Sequence, residues 1–153
     1  MSLNIDEQYD KIYRYCFLRV HHKETAEDLT QETFLRYLEH PHYNSIDKTL
    51  QLLYTIAGNL CTDEFRKAKT SELDESETSD ENIENNVLSG FDLKQALHKL
   101  SNEDREIILL RYVNEVPVNV IAKLLNISRF ALNRRINRIL SSLREYMGKE
   151  ELI

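Results

Sequence analysis

Apolar residues recur along this chain at steps of three and four, and only three Gly and two Pro in 153 residues interrupt the pattern. The spacing predicts helices throughout and an all-α class. Ile5, Tyr9, Ile12, Tyr13, Cys16, Phe17 and Val20 line one face of a first helix, which the polar pair His21 and His22 closes. Thr25 then heads the run TAED, a capping-box pattern in which the Thr hydroxyl and Asp28 satisfy free backbone amides. The helix it opens turns Ala26, Leu29, Phe34, Tyr37 and Leu38 inward and leaves Asp28, Gln31, Glu32 and Arg36 outside. After the loop HPHYNSIDK, a third helix carries Leu50, Leu53, Tyr54, Ala57, Leu60, Cys61 and Phe65 inward and ends in the basic cluster Arg66, Lys67 and Lys69. Three such amphipathic helices make a bundle with an acidic outer patch and a basic end.

The C-terminal part has a different pattern. A short helix, Val118 to Leu124, is opened by Pro117 in the favoured first-turn position and followed by a tight Leu125-Asn126-Ile127 connection. Beyond it Leu132, Ile136, Ile139, Leu140 and Leu143 form one apolar stripe, with Phe130, Asn133, Arg134 and Asn137 on the opposite face and Arg129, Arg135 and Arg138 beside them. Short helix, tight turn and longer helix together predict a helix-turn-helix. Arginines on a helix ordinarily mark no more than a solvated face. Here they coincide with the turn and with a local charge bias, and the combination points to DNA.

The charge map supports that reading. The net charge is -6, yet from Arg105 to Arg144 eight Lys or Arg face two acids, a local +6. The deficit lies upstream: residues 71 to 92 hold eight acids and no Lys or Arg, and residues 1 to 70 come to -2. The stretch SELDESETSDENIENNVLSG has too few large apolar side chains to offset the entropy of ordering it and reads as a flexible acidic tether. The chain therefore divides into a helical domain at 1–70, a linker at 71–91 and a helix-turn-helix domain at 92–147. The two outer pieces are small enough to be marginally stable alone.

Several function classes drop out. No Gly-rich phosphate loop, nucleophile elbow or carboxylate pair framing a cleft is present, so the sequence points to no enzyme. Cys16 with His21 and His22 lacks a zinc spacing, and no metal or cofactor is expected. Cys16 and Cys61 read as two isolated thiols packed in apolar faces, without a disulfide. His40 and His42 sit in a Pro-containing loop suited to solvent or a partner. No apolar run reaches membrane-spanning length and the N-terminus lacks a signal-peptide pattern, so no membrane insertion and a cytoplasmic location are expected.

AEDLTQETFLRYL, LLYTIAGNLCTDEFRK, LSNEDREIILLRY and NVIAKLLNISRFALNRR, in that order, resemble an extracytoplasmic-function type sigma factor of the sigma-70 family. The resemblance spans nearly the whole chain, and the DLTQETF run is its most specific part. It implies a region 2 domain and a region 4 domain, with core RNA polymerase (clamp coiled coil and flap) and promoter DNA as partners, and an anti-sigma factor as a candidate partner. It implies that Asp28, Gln31, Glu32 and Arg36 dock on the clamp coiled coil, where acidic and amide groups suit a basic helix. Asn59, Asp63, Arg66 and Lys67 match the helix facing the minus-ten element, and the loop from His40 to Lys48 matches the one that captures a flipped base. His42 and Tyr43 there could stack on an unpaired base. Ser128 matches the cap of the region 4 recognition helix, and Arg129, Phe130, Asn133, Arg134 and Asn137 match its face toward the minus-thirty-five element. Arg135 and Arg138 are expected on phosphates, which set register without reading sequence.

The chain also departs from the family. Leu52 stands where a tryptophan is usual, Gly58 where a basic residue is usual, and Ala131, Leu132 and Asn133 where Thr-Val-Lys is usual. A helix-interior glycine costs about 1 kcal/mol against alanine. Two other readings stay open at this point: an autonomous helix-turn-helix regulator that dimerises on a palindrome, and a sigma-like decoy that occupies polymerase without melting DNA.

The acidic tether has two readings of its own, a solvated spacer or a segment that folds back over the basic module and screens it. Neutralising Glu72, Asp74, Glu75, Glu77, Asp80 and Glu81 separates them. Screening predicts tighter DNA binding by the free protein at low salt, and a spacer predicts no change, as read by fluorescence anisotropy on duplex DNA.

Overall fold

The computed structural model describes residues 4–40, 45–71 and 91–147. The chain forms two compact units that divide between residues 78 and 79. The acidic tether and the capture loop's His42 and Tyr43 lie outside the described residues, as does the tail beyond Met147.

The first unit packs α1 (Ile5–Val20), α2 (Lys23–Leu38) and α3 (Ile46–Ser71) against one another. Asn4 caps α1 by accepting the Glu7 amide at 3.1 Å. The helix stops at His21, whose φ of 60° is left-handed and whose N–H donates to the Phe17 carbonyl. The cap of α2 differs from the TAED expectation. Lys23 and Glu24 are already helical, and the cap is His22, whose Nδ1 accepts the Thr25 amide at 3.2 Å. An imidazole nitrogen takes the place of the expected hydroxyl, and Thr25 becomes the third helical residue. Ser45 heads α3, so Ile46, Asp47 and Lys48, expected in the capture loop, are helical.

The core of this unit is Ile12, Tyr15, Cys16 and Phe17 with Ala26, Tyr37, Leu50, Leu53, Tyr54, Ile56, Ala57, Leu60 and Cys61. Buried Thr30 and Thr33 satisfy their hydroxyls by donating to the Ala26 and Leu29 carbonyls, each at 2.7 Å, so they pack like small apolar groups. Tyr15 and Tyr54 meet edge to face at 5.4 Å, and Tyr9 stacks on Phe34 at 5.3 Å. Three residues assigned inward lie outside: Ile5 at the first turn of α1, Leu38 at the last turn of α2, and Phe65 far along α3. Leu38 is 63% exposed and Phe65 56%. Each continues an inward stripe toward its end.

Cys16 and Cys61, read as isolated, face each other across α1 and α3. A hydrogen bond from Cys61 holds the Cys16 thiol below its ordinary pKa, helped by Thr30 and the charge of Arg19 against the opposing effect of burial. Both are buried, and neither is in a disulfide.

The second unit holds α4 (Phe91–His98), α5 (Asn102–Ile108), a π-helical turn (Leu109–Val113), α6 (Val118–Leu125) and α7 (Arg129–Met147). Ser101 caps α5 by accepting the Asp104 amide at 3.1 Å. The π turn ends at buried Asn114, and Glu115 follows at φ 57°, a left-handed conformation that reverses the chain into Val116 and α6. Pro117 is the cap of α6 rather than its first helical residue, with its carbonyl accepting the Val120 and Ile121 amides. Asn126 then takes φ 60° and Ile127 donates to the Ala122 carbonyl, closing α6 tightly enough for Ser128 to open α7 at once.

α7 packs on α4, α5 and α6. Leu132, Ile136, Ile139 and Leu143 are buried with Ala96, Leu97, Leu100, Ile107, Leu110, Val116, Val120, Ile121 and Ala122, while Leu140, expected in the same stripe, is only half-buried. Burying four branched side chains along one helix fixes α7 against the rest of this small unit.

Leu132→Ala is expected to destabilise the protein by about 2–5 kcal/mol, because the site is fully enclosed. Leu38→Ala is expected to stay within about 0.5 kcal/mol. Urea titration of both variants by circular dichroism checks the contrast.

Candidate nucleic-acid and polymerase interfaces

α7 owes its outer face to its inner one. With Leu132, Ile136, Ile139 and Leu143 in the core, Arg129, Phe130, Asn133, Arg134, Asn137 and Arg138 are all exposed on the other side. Ser128 is exposed too, and its hydroxyl accepts the Ala131 amide at 3.0 Å, leaving the positive end of the helix dipole pointing outward beside Arg129. The expected minus-thirty-five set is therefore brought together on one surface, with one exception.

The exception is Arg135. Its guanidinium is turned back onto the first turn of α5, donating to Glu103 at 2.8 Å and to Asp104 at 3.0 Å, and the side chain is only 27% exposed. The hydrogen bond to Glu103 raises its pKa above the ordinary arginine value, with Asp104 adding to it and partial burial opposing. Spacing alone placed Arg135 with the phosphate contacts, but position 135 lies at the edge of the buried stripe, within reach of α5. Arg105 is likewise engaged internally: it donates to the Leu97 and His98 carbonyls at the end of α4 and to Asn102. Two of the cations behind the local +6 thus hold the unit together, while Arg129, Arg134 and Arg138 are exposed on the first turns of α7, as are Lys123 and Arg144 elsewhere in the unit.

In the first unit, Asn59, Asp63, Arg66 and Lys67 share one exposed face of α3. Asp63 and Arg66 pair at 3.5 Å while both remain largely open to solvent. Beside them, Gly58 answers the missing basic residue in an unexpected way. A Cβ at position 58 would lie 3.2 Å from the Tyr15 hydroxyl, and that hydroxyl accepts from Arg19 at 2.9 Å. Arg19 also reaches the Gly58 carbonyl at 3.5 Å and the Thr62 hydroxyl at 3.3 Å. The glycine allows α1 a close approach, and a cation from α1 lies where α3 carries none. Arg19 drew no notice in the sequence, since its bonds to Gly58 and Thr62 form only once α1 and α3 are packed.

On α2, Asp28, Gln31 and Arg36 are exposed and Glu32 is half-buried, with Glu32 and Arg36 joined at 2.8 Å. Helical geometry sets Leu35 among them, 60% exposed. A leucine ringed by charged and amide groups is the layout of a protein-docking surface with an apolar anchor. Sequence reading missed it, though the signal was present: Leu35 is out of phase with the Ala26, Thr30, Thr33, Tyr37 stripe.

These features define a two-part helical protein with a DNA-reading helix-turn-helix in one part and a three-helix partner-docking unit in the other. Residues 5–70 match the family model for sigma-70 region 2, and residues 91–143 match that for sigma-70 region 4. The chain is 30% identical over 161 aligned residues to the ECF RNA polymerase sigma factor SigW of Bacillus subtilis, covering 94% of this chain and 86% of that protein. It is 35% identical over 132 residues to the ECF sigma factor BldN of Streptomyces coelicolor, covering 78% of this chain and 50% of that protein. Its fold is similar to that of the sigma factor RpoE in complex with the anti-sigma factor NepR from Bartonella quintana, with a TM-score of 0.63, 19% identity and 90% of each chain covered. The chain belongs to the extracytoplasmic-function sigma factors of the sigma-70 family.

The two fates of arginine on α7 are separable. Arg135→Gln is expected to lower stability by about 1 kcal/mol, allowing for solvent screening, and to leave the salt dependence of DNA binding unchanged. Arg138→Gln is expected to leave stability unchanged and to reduce the slope of log affinity against log salt by about 0.9, as one phosphate contact is lost. Thermal unfolding and anisotropy titrations across salt measure both.

Proposed function

We propose that this sigma factor docks on the clamp coiled coil of core RNA polymerase through Asp28, Gln31, Glu32, Leu35 and Arg36, and directs initiation at promoters read by both units. α3 faces the minus-ten element with Asn59, Asp63, Arg66 and Lys67, joined by His42 and Tyr43 of the loop before it. α7 enters the major groove at the minus-thirty-five element with Arg129, Phe130, Asn133, Arg134 and Asn137. Arg138 holds a phosphate, and Ser128 caps the helix. Arg135 is assigned to the fold instead. The observation that carries this reading is the outer face of α7: a helix-turn-helix whose inner stripe is core and whose opposite face presents three exposed arginines among asparagines.

The protein's role is to bind and position; no catalytic group is assigned to it, and the polymerase performs the chemistry. Among the described residues no helix is long and apolar enough to cross a membrane. A factor working with polymerase acts in the cytoplasm. An anti-sigma protein is a further partner class proposed for it, on the ground that the structurally similar Bartonella factor was solved with one bound.

Gel filtration with sigma-free core polymerase tests the docking surface. The wild-type chain is expected to co-elute, and the double variant Asp28→Lys, Glu32→Lys is expected to elute alone. Leu35→Ala is expected to weaken binding by about tenfold or more, the scale of a central anchor. If the wild type fails to co-elute with its own host's polymerase, the sigma reading fails and an autonomous regulator takes its place.

A further inference from the structure

Phe130 is the one large apolar side chain exposed between positions 128 and 138, and it is 71% exposed in the second residue of the recognition helix. The fold gains little from it there. One turn on, the guanidinium of Arg134 lies over the ring face at 5.2 Å from its centroid. Asn133 and Asn137 flank the pair on the same exposed face. The ring therefore does two things at once: it presents an apolar surface where the helix meets a partner, and it holds the Arg134 fork in place before that partner arrives.

A phenyl ring has no hydrogen-bonding group, so in a major groove it can recognise only an apolar feature. Among base pairs the C5 methyl of thymine is that feature. Stacking on a base would require an unpaired strand, whereas a groove-reading helix faces paired DNA. The arginine fork is suited to the O6 and N7 of guanine. Since ring and guanidinium lie 5.2 Å apart and bases rise about 3.4 Å per step, their targets lie one or two steps apart.

Resting on the sigma reading above, we infer that Phe130 and Arg134 act as a joint specificity element, selecting a thymine methyl one or two base steps from a guanine in the upstream promoter element. The methyl group contributes about fourfold in affinity, the scale of one buried methylene. Preorganisation of the fork by the ring makes the guanine preference depend on Phe130 as well.

The test uses the full chain assembled with core polymerase and a duplex pool randomised across the upstream element. The enriched sequence is expected to contain thymine one or two steps from guanine. Replacing that thymine by deoxyuridine, which deletes only the methyl, is expected to weaken wild-type binding about fourfold. Phe130→Ala, which removes an exposed ring and leaves the core untouched, is expected to bind the two duplexes equally and to discriminate less at the guanine, with polymerase co-elution unchanged. Arg134→Lys is expected to relax the guanine alone. The inference is overturned if no such thymine is enriched, if Phe130→Ala still distinguishes thymine from uracil, or if Phe130→Ala loses the polymerase, which would make the ring a polymerase contact. Failure of the wild-type chain to assemble with polymerase would instead overturn the sigma reading itself.

Discussion

Leu132, Ile136, Ile139 and Leu143 lie in the core of the C-terminal unit, and a helix anchored along four such positions cannot rotate about its axis. That constraint decides which side chains of α7 face outward, where a partner can reach them. Arg129, Phe130, Asn133, Arg134, Asn137 and Arg138 are outward because the stripe is inward, and the bond of Arg135 to Glu103 and Asp104 locks the same rotation from the flank. The tight exit of α6 through left-handed Asn126 then sets how soon α7 begins. On the proposed reading, recognition is prepared by packing: the outward side chains are presented before DNA arrives, so less ordering entropy is lost on binding.

The N-terminal unit solves a related problem with different means. Its helices approach closely because Thr30 and Thr33 bond their own backbone and occupy little volume, and because Gly58 leaves room for the Tyr15 hydroxyl. That closeness carries Arg19 from α1 onto the surface of α3, beside the face that bears Asn59, Asp63 and Arg66. The same packing turns Leu35 out among Asp28, Gln31, Glu32 and Arg36, so a surface that reads as purely polar in sequence has an apolar centre. A partner helix bearing basic residues would find both charge complementarity for orientation and a leucine to bury.

Arginine has opposite uses in this chain, and charge counting cannot separate them. Arg105 ties the end of α4 to Asn102, and Arg135 ties α7 to α5, while Arg129, Arg134 and Arg138 face outward. A basic balance over a segment identifies a module that can meet a polyanion. Only the positions of neighbouring carboxylates and helix ends tell which of its cations are available, since each internal bond removes charge from the binding surface.

Periodicity, with the scarcity of Gly and Pro and the turn after α6, determined the all-α class, the helix-turn-helix, the inward stripe of α7 and the outward polar face of α2, because a helix converts spacing into direction with no reference to the rest of the molecule. It could not determine how far each inward stripe is covered: Leu38, Phe65 and Ile5 follow the stripes in sequence yet are exposed. Nor could it pair residues distant in the chain. Arg135 with Glu103, Arg19 with Gly58, and Cys16 with Cys61 meet only once the helices pack. The exchange of Thr25 for His22 as a cap has the same origin, since several polar side chains in that stretch could accept an amide and the fold's connection between α1 and α2 selected one. Local geometry is a property of the chain, whereas coverage and pairing belong to the packed helices, and the tertiary structure alone decides them.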